Sequence, residues 1–192
     1  MDSASLKIQL PEWVARFIDK RPLIFDTVEQ RMALVIALSA ENIKQGTGGP
    51  FAAAVFDGEG RLVSPGVNMV VNSCCSLLHA ETVALALAQQ RLGRFDISSG
   101  EGGYQLVSST EPCAMCFGAL LWAGVDSLMC GANKADAEAI GFDEGPKVND
   151  WVEQLQLRGI EVQLEVLRTD AAAVLQQYAA QGQTIYNSEH HK

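Results

Sequence analysis

Apolar positions along this chain recur with two periods, and the switches between them mark the elements. In residues 11–18, Trp13 with Phe17 and Val14 with Ile18 stand one helical turn apart behind Pro11, which predicts a short amphipathic helix opened by proline. Asp26 is placed to cap a longer helix through Gln45, where Val28, Met32, Val35, Ile36 and Ile43 form one apolar stripe and Gly46 supplies the stop. After the Gly48-Gly49-Pro50 turn, residues 52–56 read as a buried strand. Asp57-Gly58-Glu59-Gly60 then reads as a hairpin loop, and residues 61–71 as the returning strand.

The second half alternates strands and helices. His79 opens an alanine- and leucine-rich helix that ends near Gly93, with Ala80, Val83, Ala84, Leu87 and Ala88 on one face. A polar glycine-rich loop at 98–103 precedes a strand at 104–109, which runs through Thr110-Glu111-Pro112 into a helix over 113–123. Further on the pattern predicts a strand at 125–130, a short helix at 134–140, a loop at 145–150, a helix at 151–157, a strand at 160–167 and a last helix at 170–180. This order implies an α/β domain, a three-layer α/β/α sandwich with a central mixed sheet. In such sheets ligands bind where strand ends meet helix N-termini, and both His79 and Cys113 fall at predicted helix starts.

At 192 residues the chain suits one domain, read as spanning 1–192 with a helical extension over about 1–24. No apolar run reaches the length of a membrane span, and the N-terminus lacks a basic start followed by an apolar stretch, so neither membrane insertion nor secretion is expected. Five cysteines, an odd number with Cys74 and Cys75 adjacent, fit a reducing cytoplasm better than a disulfide framework. A net charge of −9 argues against nucleic acid as partner and for a free small molecule.

The chemistry lies in His79-Ala80-Glu81 and Pro112-Cys113-Ala114-Met115-Cys116. One imidazole and two thiolates give Zn2+ three protein ligands and leave its fourth position for water, the arrangement of a catalytic site. Cys113 and Cys116 are three apart, so on a helix their sulfurs face the same way, and at its first turn the helix dipole favours the thiolate. Glu81 is not needed as a ligand and is placed to move a proton between water and substrate. An isolated C-x-x-C would equally suit a redox pair, and a fourth cysteine (Cys74, Cys75 or Cys130) would close the site into a structural one. The two histidines four apart of a metalloprotease are absent. The H-x-E and P-C-x-x-C motifs together are the signature of zinc-dependent nucleobase deaminases.

On these motifs the chain resembles the cytidine deaminase-fold superfamily, and within it the small zinc-dependent guanine deaminases. The resemblance runs from Gly48-Gly49-Pro50-Phe51 through Asn68, the two zinc motifs and Trp122 to Gly141-Phe142-Asp143-Glu144 and a tail ending near Tyr186. It implies that Asn68 hydrogen-bonds the base, that Phe51 and Trp122 wall its pocket, and that Glu144, with Asp143 beside it in the substrate-binding set, occupies the position of the substrate-reading carboxylate. It also implies a homodimer in which the segment of about 168–192 crosses to the partner and Tyr186 closes the neighbouring pocket. Glu144 is one methylene longer than the Asp expected there, and the first 45 residues exceed the compact family form. The expected reaction is conversion of guanine to xanthine and ammonia. An aminotriazine or another amino-heterocycle, a tRNA adenosine, or a zinc protein without turnover are the alternatives.

Overall fold

The computed structural model describes residues 7–98 and 103–187. Within them the chain runs α1 (Glu12–Ile18), α2 (Val28–Lys44), β1 (Ala52–Asp57), β2 (Leu62–Val67), α3 (Ala80–Leu92), β3 (Tyr104–Thr110) and α4 (Ala114–Ala123). It continues with β4 (Ser127–Ala132), α5 (Lys134–Glu138), α6 (Trp151–Gln156), β5 (Glu161–Gln163) and α7 (Arg168–Ala180). The strands form one sheet in the order β2-β1-β3-β4-β5. β1 pairs antiparallel with both β2 and β3, while β4 is parallel to β3 and β5, so the sheet is mixed as expected.

Alternation along β1 separates two apolar layers. Ala52, Ala54 and Phe56 pack with Met32, Val35 and Leu38 of α2, whereas Ala53 and Val55 pack with Ala80, Ala84 and Ala88 of α3 and with Leu120 of α4. α6 joins the second layer through Trp151 and Leu155. On the α2 side α7 packs against β4 and α2, with Val174, Leu175 and Tyr178 beside Ala132 and Ile43. Helices therefore cover both faces, the expected α/β/α sandwich. No helix among the described residues is long and apolar enough to cross a membrane.

Several boundaries differ from the pattern, each for a local reason. The α2 cap is Thr27, one residue after Asp26, and its side chain accepts from the Gln30 backbone N–H. β2 stops at Val67, not 71. Beyond it the Asn68 carboxamide oxygen accepts from the Val70 N–H and the chain turns, with Ser73 N donating to the Met69 carbonyl. β5 covers three residues because Glu165 (φ 61°) and Leu167 (φ 51°) adopt left-handed conformations that no extended strand continues through. The expected glycine-rich loop lies outside the described residues except for Ser98 and Gly103.

The N-terminal helix is built into the core. Trp13 and Val14 are buried in the α2-side cluster, Trp13 Nε1 donates to Thr47 Oγ1 at 2.9 Å, and Ile24 bridges to Arg61 at the start of the hairpin's return. The C-terminal segment lies against its own chain, where Tyr178 OH donates to the Thr184 carbonyl at 2.6 Å and Tyr186 packs on Phe142.

A close contact between sheet and helix carries His79. α3 lies so near β2 that a Cβ on Gly66 would stand 2.2 Å from the Ala80 carbonyl oxygen and 2.6 Å from the Ala84 nitrogen. Ser64 Oγ reinforces the contact by donating to the Ala84 carbonyl at 2.7 Å. Gly66→Ala is therefore expected to lower unfolding free energy in urea by about 1–3 kcal/mol, the usual range for forcing a methyl into a packed core.

Candidate metal centre and active site

Two helix N-termini meet at one end of the sheet. His79 is the N-cap of α3 and Cys113 the N-cap of α4, both with extended backbone and neither spending its side chain on the cap. Cys116 follows one turn into α4 and is fully buried. His79 Nδ1 lies 3.5 Å from Cys113 Sγ and 3.6 Å from Cys116 Sγ. A nitrogen and a sulfur on one tetrahedral zinc, with bonds of about 2.0–2.1 and 2.3 Å, stand roughly 3.6 Å apart, so the three donors fit the ion. Among the described residues this is the one group of three or more His, Cys or carboxylate side chains able to converge on a metal. Cys74, Cys75 and Cys130 do not join it, which leaves three protein ligands and excludes the closed four-ligand site among those residues.

Electrostatics prepare the group for a cation. A hydrogen bond from Cys116, together with contact with His79, brings the Cys113 thiol down to about 4 against the penalty of burial. Cys116, as the donor in that hydrogen bond and deeply buried, is pushed well above the ordinary thiol range. Burial works against a charged His79, but contact with Cys113 and the negative charge of Glu81 leave its pKa raised. Glu81, on the first turn of α3, is buried, and desolvation reinforced by the Cys113 charge raises its carboxyl.

Around these groups lies a cavity of about 220 Å³, lined by Phe51, Asn68, Glu111, Phe142, Asp143, Glu144, Gly145, Tyr186 and Asn187 besides His79, Glu81 and Cys113. Asn68 is buried, and its oxygen accepts from the Gly49 and Val70 backbone N–H groups, each at 3.3 Å. Its Nδ2 has no protein partner. The acceptor is thus used within the protein, and the donor is left without a partner there.

Glu144 is buried, and desolvation, with the Cys113 and Glu81 charges adding, pushes its carboxyl up to about 8. Asp143 reaches the same cavity but is exposed, and its Oδ1 accepts from the Gly145 N–H at 2.8 Å. The walls are aromatic. Phe51 meets Phe142 edge to face at 4.9 Å between ring centres, and Tyr186 also meets Phe142 at 4.9 Å. Gly49 makes room for the tyrosine, since a Cβ there would come within 2.8 Å of the Tyr186 ring. The Tyr186 hydroxyl is buried without a partner.

Trp122 is not among these walls. It is 80% exposed, because α4 buries Cys116 and Leu120 and a residue two further on lies about 200° round the helix from Leu120. Phe142, Glu111 and Asn187 line the cavity without having been assigned roles from the sequence. Phe142 lay within the Gly-Phe-Asp-acid segment, where an aromatic beside two carboxylates was the available signal.

Comparison with known proteins agrees with this geometry. Residues 26–132 match the family described as the cytidine and deoxycytidylate deaminase zinc-binding region. The guanine deaminase of Bacillus subtilis is 34% identical over 109 residues, which are 57% of this chain and 67% of that protein. Among solved structures, NE0047 in complex with 2,6-diaminopurine superposes with a TM-score of 0.88 at 45% identity, covering 95% of this chain and 97% of that one. A structure of guanine deaminase from Nitrosomonas europaea superposes at 0.87 and 45% identity, over 94% of this chain and 98% of that one.

Two outcomes follow for the metal. Cys113→Ala should strip zinc to near background in elemental analysis, since two remaining protein ligands hold the ion poorly. Binding should also release protons. In the metal-free chain Cys116 keeps its proton at neutral pH and His79 holds its own more firmly than a free imidazole, whereas Cys113 is already a thiolate. Affinity should therefore rise with pH, checked by titration calorimetry in buffers of different ionisation enthalpy.

Proposed function

Because the chain belongs to the cytidine and deoxycytidylate deaminase zinc-binding family, we propose that it is a zinc-dependent aminohydrolase acting on a free amino-substituted nucleobase, guanine first, with xanthine and ammonia as products. The observation that carries this reading is a three-donor metal site opening onto a small aromatic cavity that holds two buried carboxylates, Glu81 and Glu144. The known guanine deaminases it resembles supply the choice of base.

Zinc, when held by His79, Cys113 and Cys116, supplies the acidification that makes water a nucleophile near neutral pH. The chain's own residues do the rest. Glu81, two residues after His79 on the first turn of α3 and with a raised carboxyl, takes a proton from water as attack proceeds at C2 of guanine. It delivers that proton to the ring nitrogen, then takes the remaining proton from the hydroxyl added at C2 as the carbonyl forms and passes it to the departing amino group, so that guanine and water become xanthine and ammonia. Asn68 Nδ2 is the donor for a ring acceptor or exocyclic oxygen. Glu144 faces the polar edge of the base, where a carboxylate accepts from ring N–H groups and a protonated acid donates. Phe51, Phe142 and Tyr186 exclude water and pack on the heterocycle.

A cavity of about 220 Å³ lies below the ~300–1,000 Å³ usual for ligand pockets, which favours a free base over one carried on a polynucleotide. The net charge of −9 points the same way. The reading extends to a homodimer. α4 has no charged residue and presents Trp122 to solvent, a face on which two acidic copies can meet without repulsion. A dimer that exchanged the 168–192 segment would keep every contact that Tyr186 makes within one chain, so either arrangement closes the pocket alike.

Glu81→Gln should retain zinc and lower kcat for ammonia release from guanine by about 10²–10⁴-fold, since the amide keeps the shape but carries no proton. Ammonia assays over guanine, adenine, cytosine, cytidine and aminotriazines check both the residue and the substrate. Parental turnover by Glu81→Gln would mean that another group moves the proton.

A further inference from the structure

A lysine outside the cavity lining is buried against Glu111, which belongs to that lining. The Lys147 side chain is 3% exposed and that of its partner Glu111 12%. Its Nζ stands 3.2 Å from Glu111 Oε2, donates to the Pro112 carbonyl at 2.8 Å and lies 4.1 Å from the centre of the Trp151 ring. An ammonium has three N–H donors, and here a carboxylate, a carbonyl and an aromatic face take them up.

The partners come from separate parts of the chain. Glu111 and Pro112 form the turn from β3 into α4 that ends at Cys113, and Trp151 opens α6. Lys147 itself follows the loop that carries Phe142, Asp143 and Glu144. That loop also meets the first residue of α4, where the Ala114 N–H donates to the Glu144 carbonyl at 2.9 Å. A lysine serving only to neutralise Glu111 would have no use for the carbonyl of the residue preceding a metal ligand. With that second bond it fixes one backbone segment against the other.

We propose that Lys147 is a positioning residue that locks the 141–147 loop onto the turn at 111–113 and so keeps the Glu144 carboxyl in the cavity beside Glu81 and Cys113. The inference rests on the reading of Glu144 as substrate-facing. It predicts that Lys147 acts through Glu144 and not on the metal.

The test is a double-mutant cycle on the zinc-loaded enzyme with guanine as substrate. Lys147→Met should keep zinc and lose about 10- to 100-fold, mainly in kcat, as expected when a reacting group is misplaced by about an ångström. In a Glu144→Gln background the same substitution should add less than about twofold. Equal loss in both backgrounds, or a zinc-loaded Lys147→Met protein with full turnover, overturns the proposal. If Glu144→Gln alone is as active as the parent, the reading of Glu144 fails and takes the proposal with it. A damaged Glu144→Gln beside an undamaged Lys147→Met overturns the proposal alone. Should Lys147→Met not fold because it strands the Glu111 carboxylate, Lys147→Met combined with Glu111→Gln leaves no unpaired charge. Measured against Glu111→Gln, it gives the same comparison.

Discussion

His79 and Cys113 stand 3.5 Å apart because α3 and α4 begin at the same end of the sheet, and the rest of the structure is constrained by that meeting of two helix N-termini. β3 delivers Cys113 from a central position between β1 and β4, so the strand that leads to it has a neighbour on each side. α3 brings His79 from a helix pressed onto edge strand β2, with Gly66 allowing the approach. Neither ligand group can shift without disturbing a packed layer. Preorganisation of this kind lets each helix hold a metal ligand at its N-cap.

The same junction gathers charge that the fold alone would not favour. Glu81 and Glu144 are buried close to the Cys113 thiolate, and each carboxyl is raised by desolvation and by its negative neighbours. Such a cluster weakens a protein without a cation and strengthens one that holds it, so metal binding and stability are linked here. Lys147, paired with Glu111, offsets part of the charge on Glu144. The cavity side keeps its unpartnered polar atoms, Asn68 Nδ2 and the Tyr186 hydroxyl, which only a ligand or water can satisfy.

Much of this was legible from residue order. The zinc motif needs only local spacing, since a histidine with a glutamate two residues on and cysteines three apart at helix starts define their own geometry. The layers followed from the order of elements, with β1 a continuous apolar run that packs on both faces and α2 an apolar stripe on one. What failed was decided by long-range packing. Trp122 belongs to a helix that is apolar nearly all round, so its sequence did not show which face is buried, and the tryptophan turned outward. The ends of β2 and β5 depend on a side-chain turn at Asn68 and on left-handed residues at Glu165 and Leu167, which strand propensity does not register. Lys147 and Asn187 were invisible for the same reason. Their partners lie 36 residues away at Glu111 and 44 residues away at Asp143.

The account stands or falls on an open metal site with one imidazole and two thiolates. X-ray absorption at the zinc edge of the metal-loaded protein measures this directly. The account predicts two sulfur neighbours at about 2.3 Å and two lighter atoms at about 2.0–2.1 Å, one from His79 and one from solvent. A third sulfur, or a first shell made wholly of protein atoms, would contradict it.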